Sequence, residues 1–172
     1  MIGEIEAILE ALNRAQVRYL VVGGVAVVLH GYLRTTADLD LVIQLAPDNA
    51  RRAVEVLTTL RYRPRAPVPF AAFAERDTRE SWLRENGLTV FSLWSPDHPT
   101  LEIDLFVSEP FDFDVAYARA LRVPLERTEA IVVSLDDLIA LKRQVGRPRD
   151  QEDVAALEAL QHGPIREGEF DE

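Results

Sequence analysis

Apolar positions along the chain change period several times, and each change marks an element. Ile2, Ile5, Leu9 and Leu12 recur at three- and four-residue steps, which predicts an amphipathic helix ending near Asn13. The run VRYLVV, residues 17–22, predicts a strand, and Gly23 and Gly24 break it. The next run, VAVVLH, is too short for its period to separate a helix from a continuing strand. DLDLVI, residues 38–43, alternates polar and apolar positions and predicts the next strand. From Pro47 the residues Ala50, Val54, Leu57 and Leu60 share one side of a second helix. Three prolines in RYRPRAPVPFAAF, residues 61–73, predict loop or edge strand.

Two more alternating runs, LTVFSLW (88–94) and LEIDLFV (101–107), flank SPDHPT and predict a hairpin. FDFDV, residues 111–115, also alternates and reads as a solvated strand end or turn, while AIVV, residues 130–133, is a last short strand. Ser134 with Asp137 forms a capping-box pattern at the start of a helix that stops at Gly146. Pro148 opens a final helix reaching about residue 161, and the tail beyond it has the composition of a frayed end. The expected architecture is α+β: a small mixed sheet flanked by helices, with two C-terminal helices. It is expected as one domain over 1–172, with a core at about 17–133 and a helical segment at about 134–162.

Composition supports a packed domain and narrows its partners. A chain of 172 residues with 48% hydrophobic content is long enough to bury roughly 70% of its unfolded surface. No apolar run approaches the ~18 residues of a membrane span, and MIGEIEAILEAL has no basic leader pattern, so a cytoplasmic location is expected. The absence of cysteine excludes disulfides and thiolate metal sites. A net charge of -10 makes long DNA a poor partner, because phosphate-backbone affinity grows with Lys and Arg contacts. Arg61, Arg63 and Arg65, and Lys142, Arg143, Arg147 and Arg149, are local exceptions that leave room for a phosphate site or a folded-RNA docking face.

The chemistry lies in the two strands that place carboxylates among apolar residues. Side chains alternate along a strand, so Asp38 and Asp40 share one face and Leu39 and Leu41 the other; Glu102 and Asp104 repeat the pattern. If the strands are neighbours, three or four carboxylates meet, and two unit charges ~4 Å apart repel by about 4 kcal/mol at an effective dielectric of 20. Either protonation at a raised pKa or a hard divalent cation offsets this, and Mg²⁺ typically takes one or two carboxylates plus water and phosphate oxygens. Gly23 and Gly24, just upstream, remove side chains where phosphate would approach the backbone.

GGVAVVLHGYLRTTADLDLVI resembles the signature of the DNA polymerase beta-type nucleotidyltransferase superfamily: a glycine turn, a short helix, D-x-D, and a third carboxylate on a later strand. The His-Gly pair, R-x-T-x-D-x-D and DLIALKRQVGRPRDQEDVAAL are similar to AbiEii-like and related small bacterial nucleotidyltransferases. The resemblance covers about Tyr19–Ile43, the strand around Asp104, and Ser134–Leu160. It implies that Gly23 and Gly24 hold nucleotide phosphates, and that Asp38, Asp40 and Asp104 bind two Mg²⁺ ions, with Asp104 helping to deprotonate an attacking hydroxyl. Arg34, Thr36 and Lys142 are further candidates for phosphate contact. For Arg34 the alternative is an ion pair with Asp38 or Asp40, for Thr36 a turn role, and for Lys142 an exposed helix charge. Asp150 and Asp153 read as mainly structural. His30 reads as a packing or hydrogen-bonding residue, and Trp82 and Trp94 as core or base-pocket residues.

The implied reaction transfers NMP from an NTP to a hydroxyl on a small molecule, or on a tRNA or protein as in toxin-type members. Two C-terminal helices are few for an acceptor pocket, which leaves room for an antitoxin or a second subunit. The alternative is a catalytically inactive nucleotidyltransferase fold that binds a nucleotide or partner protein. A metal-dependent phosphohydrolase fits less well, because His30, His98 and His162 form no ligand-like pair.

Overall fold

The computed structural model describes residues 1–163 and contains one seven-stranded mixed sheet. In chain order the elements are α1 (Ile2–Arg14), β1 (Tyr19–Val22), α2 (Gly23–Leu29), β2 (Asp38–Ile43), α3 (Pro47–Thr59), β3 (Arg63–Pro64), a 3₁₀ turn (Phe70–Ala74), α4 (Arg76–Asn86), β4 (Val90–Ser95), β5 (His98–Phe106), α5 (Phe113–Ala118), β6 (Leu121–Pro124), β7 (Glu129–Val132), α6 (Leu135–Val145) and α7 (Pro148–His162). The sheet order is β3-β4-β5-β2-β1-β7-β6. β2 is central, antiparallel to β1 and parallel to β5.

Alternation decides which face of β2 and β5 enters the core. Leu39, Leu41, Ile103 and Leu105 are fully buried, whereas Asp38, Asp40, Glu102 and Asp104 on the other face are partly exposed. α1 packs on β7 and α3, α2 packs on β1, β2 and α6, and α6 packs on α7. One hydrophobic cluster runs continuously from Ile5 to Leu157. No helix among the described residues is long and apolar enough to cross a membrane.

Most expected elements form, with three differences further along the chain. Gly23 and Gly24 end β1 as expected and open the first turn of α2, so strand passes directly into helix. Gly23 makes this possible by adopting φ 66°, a conformation open to glycine. FDFDV is not a strand end: Asp112 caps α5 by accepting a hydrogen bond from Val115 N–H at 3.1 Å. The stretch after the prolines holds a helix, α4, whose inward side is made by Arg79 and Trp82 rather than by an apolar stripe. Arg79 is buried because its guanidinium donates to Phe73 O at 2.7 Å, a pairing that helical periodicity does not reveal. Leu121–Pro124 adds the edge strand β6, with Pro124 as its last residue.

The hairpin and both terminal caps form as the sequence indicates. Pro96 and Asp97 join β4 to β5, with Ser95 opposite His98. Ser134 Oγ accepts from Asp137 N–H at 3.2 Å, and Gly146 ends α6 at φ 68°. The expected frayed tail lies, beyond Gly163, outside the described residues.

Asn49 on α3 is a buried polar anchor for the sheet. Its amide group accepts from Arg18 N–H at 2.8 Å and donates to Arg18 O at 3.0 Å and Gln44 O at 2.8 Å. It thereby closes the ends of β1 and β2 against one helix. Asn49→Ala leaves three backbone groups without these partners and is expected to cost about 2–4 kcal/mol, lowering the melting midpoint by roughly 5–15 °C in differential scanning calorimetry.

Candidate active site

The register between β2 and β5 creates the site. Asp38 stands beside Glu102 and Asp40 beside Asp104, so the two acidic strands are neighbours and their carboxylates share one face. Val22, the last residue of β1, pairs with Asp40, which puts the α2 glycine turn against the same carboxylate. A Cβ on Gly23 would overlap Asp40 Oδ2. A Cβ on Gly24 would lie 2.6 Å from Thr36 Oγ1 and 2.8 Å from Arg34 Nη2. The two glycines therefore admit two different neighbours: an acid at Gly23, a cation and a hydroxyl at Gly24.

Three of the four carboxylates lack a cationic partner. Glu102 pairs with Arg65, whose guanidinium also lies 5.7 Å from the centre of the Trp94 ring. Among the described residues no salt bridge reaches Asp38, Asp40 or Asp104. Burial, then Asp104, then Asp38 push the Asp40 carboxyl up to about 7, against a smaller opposing pull from Lys142 and Arg147. Asp38 is raised too, by burial and then by Asp104 and Glu102. Asp104 is oriented by Ser92, which lies opposite it on β4 and donates its hydroxyl to Oδ1. Ser92 is a candidate site residue absent from the sequence analysis above; its signal is a hydroxyl flanked by Phe91 and Leu93, on the face the hairpin gives to Asp104.

The other candidates divide between the site and its support. Thr36 Oγ1 reaches Asp38 O at 3.3 Å and Gly24 from the loop before β2. Arg34 does not pair with Asp38 or Asp40; its Nε lies 3.0 Å from Asp153 Oδ1 on α7. Lys142 is not an exposed helix charge: it is buried, with Nζ 2.8 Å from Asp153 and 3.3 Å from Asp150. Asp150 also accepts from Arg147 N–H and Nε. His30 Nε2 lies 2.8 Å from Val133 O, which ties the end of α2 to the chain after β7. Trp82 stacks on Phe91 at 5.0 Å, a core contact.

Among the described residues no group of three or more His, Asp or Glu side chains is gathered tightly enough to enclose a metal ion. The donor set nevertheless fits a hard cation that brings part of its own coordination. Asp40 and its neighbours are oxygen donors with uncompensated negative charge, and Mg²⁺ needs only one or two such ligands beside water and phosphate. A surface cavity of about 770 Å³ lies elsewhere, beside Val17 and Arg18 at the opposite end of β1. Its two arginines, Arg18 and Arg122, are already paired with Asp114 and Glu129.

A mixed sheet with D-x-D on its central strand, a third aspartate abreast and a glycine turn beside them matches the nucleotidyltransferase signature that the sequence resembles. The family model described as "Nucleotidyltransferase of unknown function (DUF6036)" matches residues 1–162, and the chain belongs to that family. Its fold is similar to that of the lincosamide antibiotic adenylyltransferase LnuA in its lincomycin-bound crystal structure, at 14% identity and a TM-score of 0.61, over 93% of this chain and 98% of that one. It is also similar to the antibiotic-resistance factor ANT(2'')-Ia in solution, at 16% identity and a TM-score of 0.56, over 92% of this chain and 82% of that one. The crystal structure of ANT(2'')-Ia with adenylyl-2''-tobramycin gives 14% identity and a TM-score of 0.52, over 94% and 89% of the two chains. No curated protein sequence matches the chain.

The raised Asp40 carboxyl makes stability depend on pH. It titrates near 7 in the fold and near 4 when unfolded, so its contribution is fully present below about pH 4 and is lost as pH rises through about 7. In EDTA, the melting midpoint of Asp40→Asn relative to the parent chain is expected to rise by roughly 3–8 °C between pH 5 and pH 8. A pH-independent difference would show that Asp40 is not held protonated by its surroundings.

Proposed function

We propose that the protein transfers NMP from an NTP to a hydroxyl acceptor, with Asp38, Asp40 and Asp104 as the catalytic carboxylates. The observation that carries this reading is the pairing of Asp40 with Asp104 on adjacent parallel strands while Gly23 packs against Asp40. Membership of a nucleotidyltransferase family supports it. In the reaction the acceptor oxygen forms a bond to the α-phosphorus, the bond to pyrophosphate breaks, and the hydroxyl proton leaves to a carboxylate. Asp104 suits that last role, because Ser92 occupies one of its oxygens and fixes the direction of the other.

Asp38, Asp40 and Asp104 would hold two Mg²⁺ ions, which when bound supply activation of the hydroxyl and neutralisation of the departing pyrophosphate. Gly24 leaves Arg34 and Thr36 room at the turn where nucleotide phosphate would lie. Lys142, paired with Asp150 and Asp153, contributes positive charge that is felt at Asp40.

A small-molecule hydroxyl is the acceptor favoured here over a tRNA or protein. The net charge of -10 opposes a polyanionic acceptor. LnuA, an adenylyltransferase of a lincosamide antibiotic, has 98% of its length covered by this chain, so two helices after the sheet are compatible with a pocket for such an acceptor. A second subunit or antitoxin is not required by this reading.

Thermal-shift titrations with each of the four NTPs, with and without Mg²⁺, test it. At least one NTP is expected to raise the midpoint by several degrees only when Mg²⁺ is present, as ligand at ~100 times its Kd adds about 2.7 kcal/mol. Asp40→Ala is expected to abolish the shift while leaving the metal-free chain folded. An equal shift in parent and variant would remove the carboxylates from the binding site.

A further inference from the structure

Arg34, which reaches the glycine turn, and Lys142, whose charge is felt at Asp40, are held by one carboxylate outside the acidic face of β2 and β5. Asp153 on α7 is 2% exposed and touches two cations at once: Arg34 from the loop before β2, and Lys142 from α6. Arg34 Nη2 lies 3.1 Å from Asp153 Oδ2, and the buried Arg34 Nε, which makes no well-aligned hydrogen bond, lies 3.0 Å from Oδ1. The same Nη2 fills the space that a side chain on residue 24 would take. Asp150 completes the group by pairing with Lys142 and Arg147. Three cations thus share two carboxylates, which leaves one net positive charge beside the acidic face of β2.

We infer that Asp153 is a positioning residue, which aims Arg34 at the α2 glycine turn and so sets nucleotide affinity without touching the nucleotide. This rests on the nucleotidyltransferase reading above. An unrestrained arginine on an eight-residue loop, 30–37, with no regular structure would have to be ordered each time ligand bound, and a side chain held in place beforehand avoids that loss. A fixed guanidinium also keeps the planar fork that phosphate recognition uses. Asp153 does this from α7, which explains why the last helix is joined by buried charge to a loop 119 residues earlier in sequence.

Because Asp153 acts through Arg34, the two should not contribute independently. MgATP, or the Mg²⁺ complex of whichever NTP gives the largest thermal shift, is titrated calorimetrically into the full chain and into Arg34→Ala, Asp153→Asn and the double variant. Arg34→Ala is expected to weaken binding about 10- to 100-fold and Asp153→Asn at least about fivefold, with the double variant no weaker than Arg34→Ala within about twofold. Asp153→Glu guards against loss of folding: it keeps the charge and moves the carboxylate by one methylene, and should still weaken binding about threefold or more.

An independent readout needs no nucleotide. The Arg34 Nε–H resonance, sheltered from solvent in the parent chain, should broaden or vanish in Asp153→Asn while the sheet amide resonances stay in place. Parent-like affinity in Asp153→Glu would reduce Asp153 to a countercharge and overturn the positioning role. So would multiplied losses in the double variant, or Asp153→Asn binding as the parent does while Arg34→Ala is weakened. If the parent chain binds none of the four NTPs, the nucleotide reading falls and this role with it, whatever the resonance shows.

Discussion

The structure depends on the side-by-side pairing of β2 with β5, which fills a sheet face with negative charge. Register is unforgiving here: a slip of one residue would exchange Leu39 and Leu41 for Asp38 and Asp40 in the core. The apolar side chains on the opposite face make that slip costly, since each buried leucine is worth about 1.5–3 kcal/mol. Hydrophobic packing on one face thus enforces electrostatic repulsion on the other. Without a cation, burial and then this repulsion favour proton uptake, which is why Asp40 stands near 7.

Around that face the molecule provides positive charge at one remove. Lys142, Arg34 and Arg147 form no salt bridge with the acidic triad among the described residues; they are held instead by Asp150 and Asp153. In the proposed reaction this arrangement would suit a site that receives both cations and a polyphosphate. Direct salt bridges to Asp38 and Asp40 would neutralise the carboxylates permanently, whereas a cation group held by other acids leaves them free and would still attract phosphate. On that reading the two C-terminal helices are electrostatic parts of the site as well as packing elements.

Much of this was legible in the residues, and the exceptions have physical causes. The alternation in DLDLVI and LEIDLFV predicts the acidic face, because strand period is a local property. That these strands are neighbours is a tertiary fact, and the parallel register that aligns Asp40 with Asp104 came only with the fold. The ion pair offered as the alternative role for Arg34 names the wrong acid for the same reason: Asp38 and Asp40 are near in sequence, but Asp153 is the acid that α7 brings to it. Helix α4 escaped periodicity because its buried side rests on Arg79 and Trp82. Asp112 was read by alternation where capping governs. Ser92 was invisible as long as its strand had no known neighbour.

The claim on which the account turns is that the three aspartates hold divalent cations together with a nucleotide. Electron paramagnetic resonance with Mn²⁺ in place of Mg²⁺ measures this directly, using a non-hydrolysable analogue of the NTP that stabilises the protein most. Two Mn²⁺ ions should bind per chain in the presence of the analogue, and binding should fall to the level of the analogue alone in Asp38→Asn, Asp40→Asn and Asp104→Asn. Equal Mn²⁺ occupancy in the parent chain and all three variants would contradict the account.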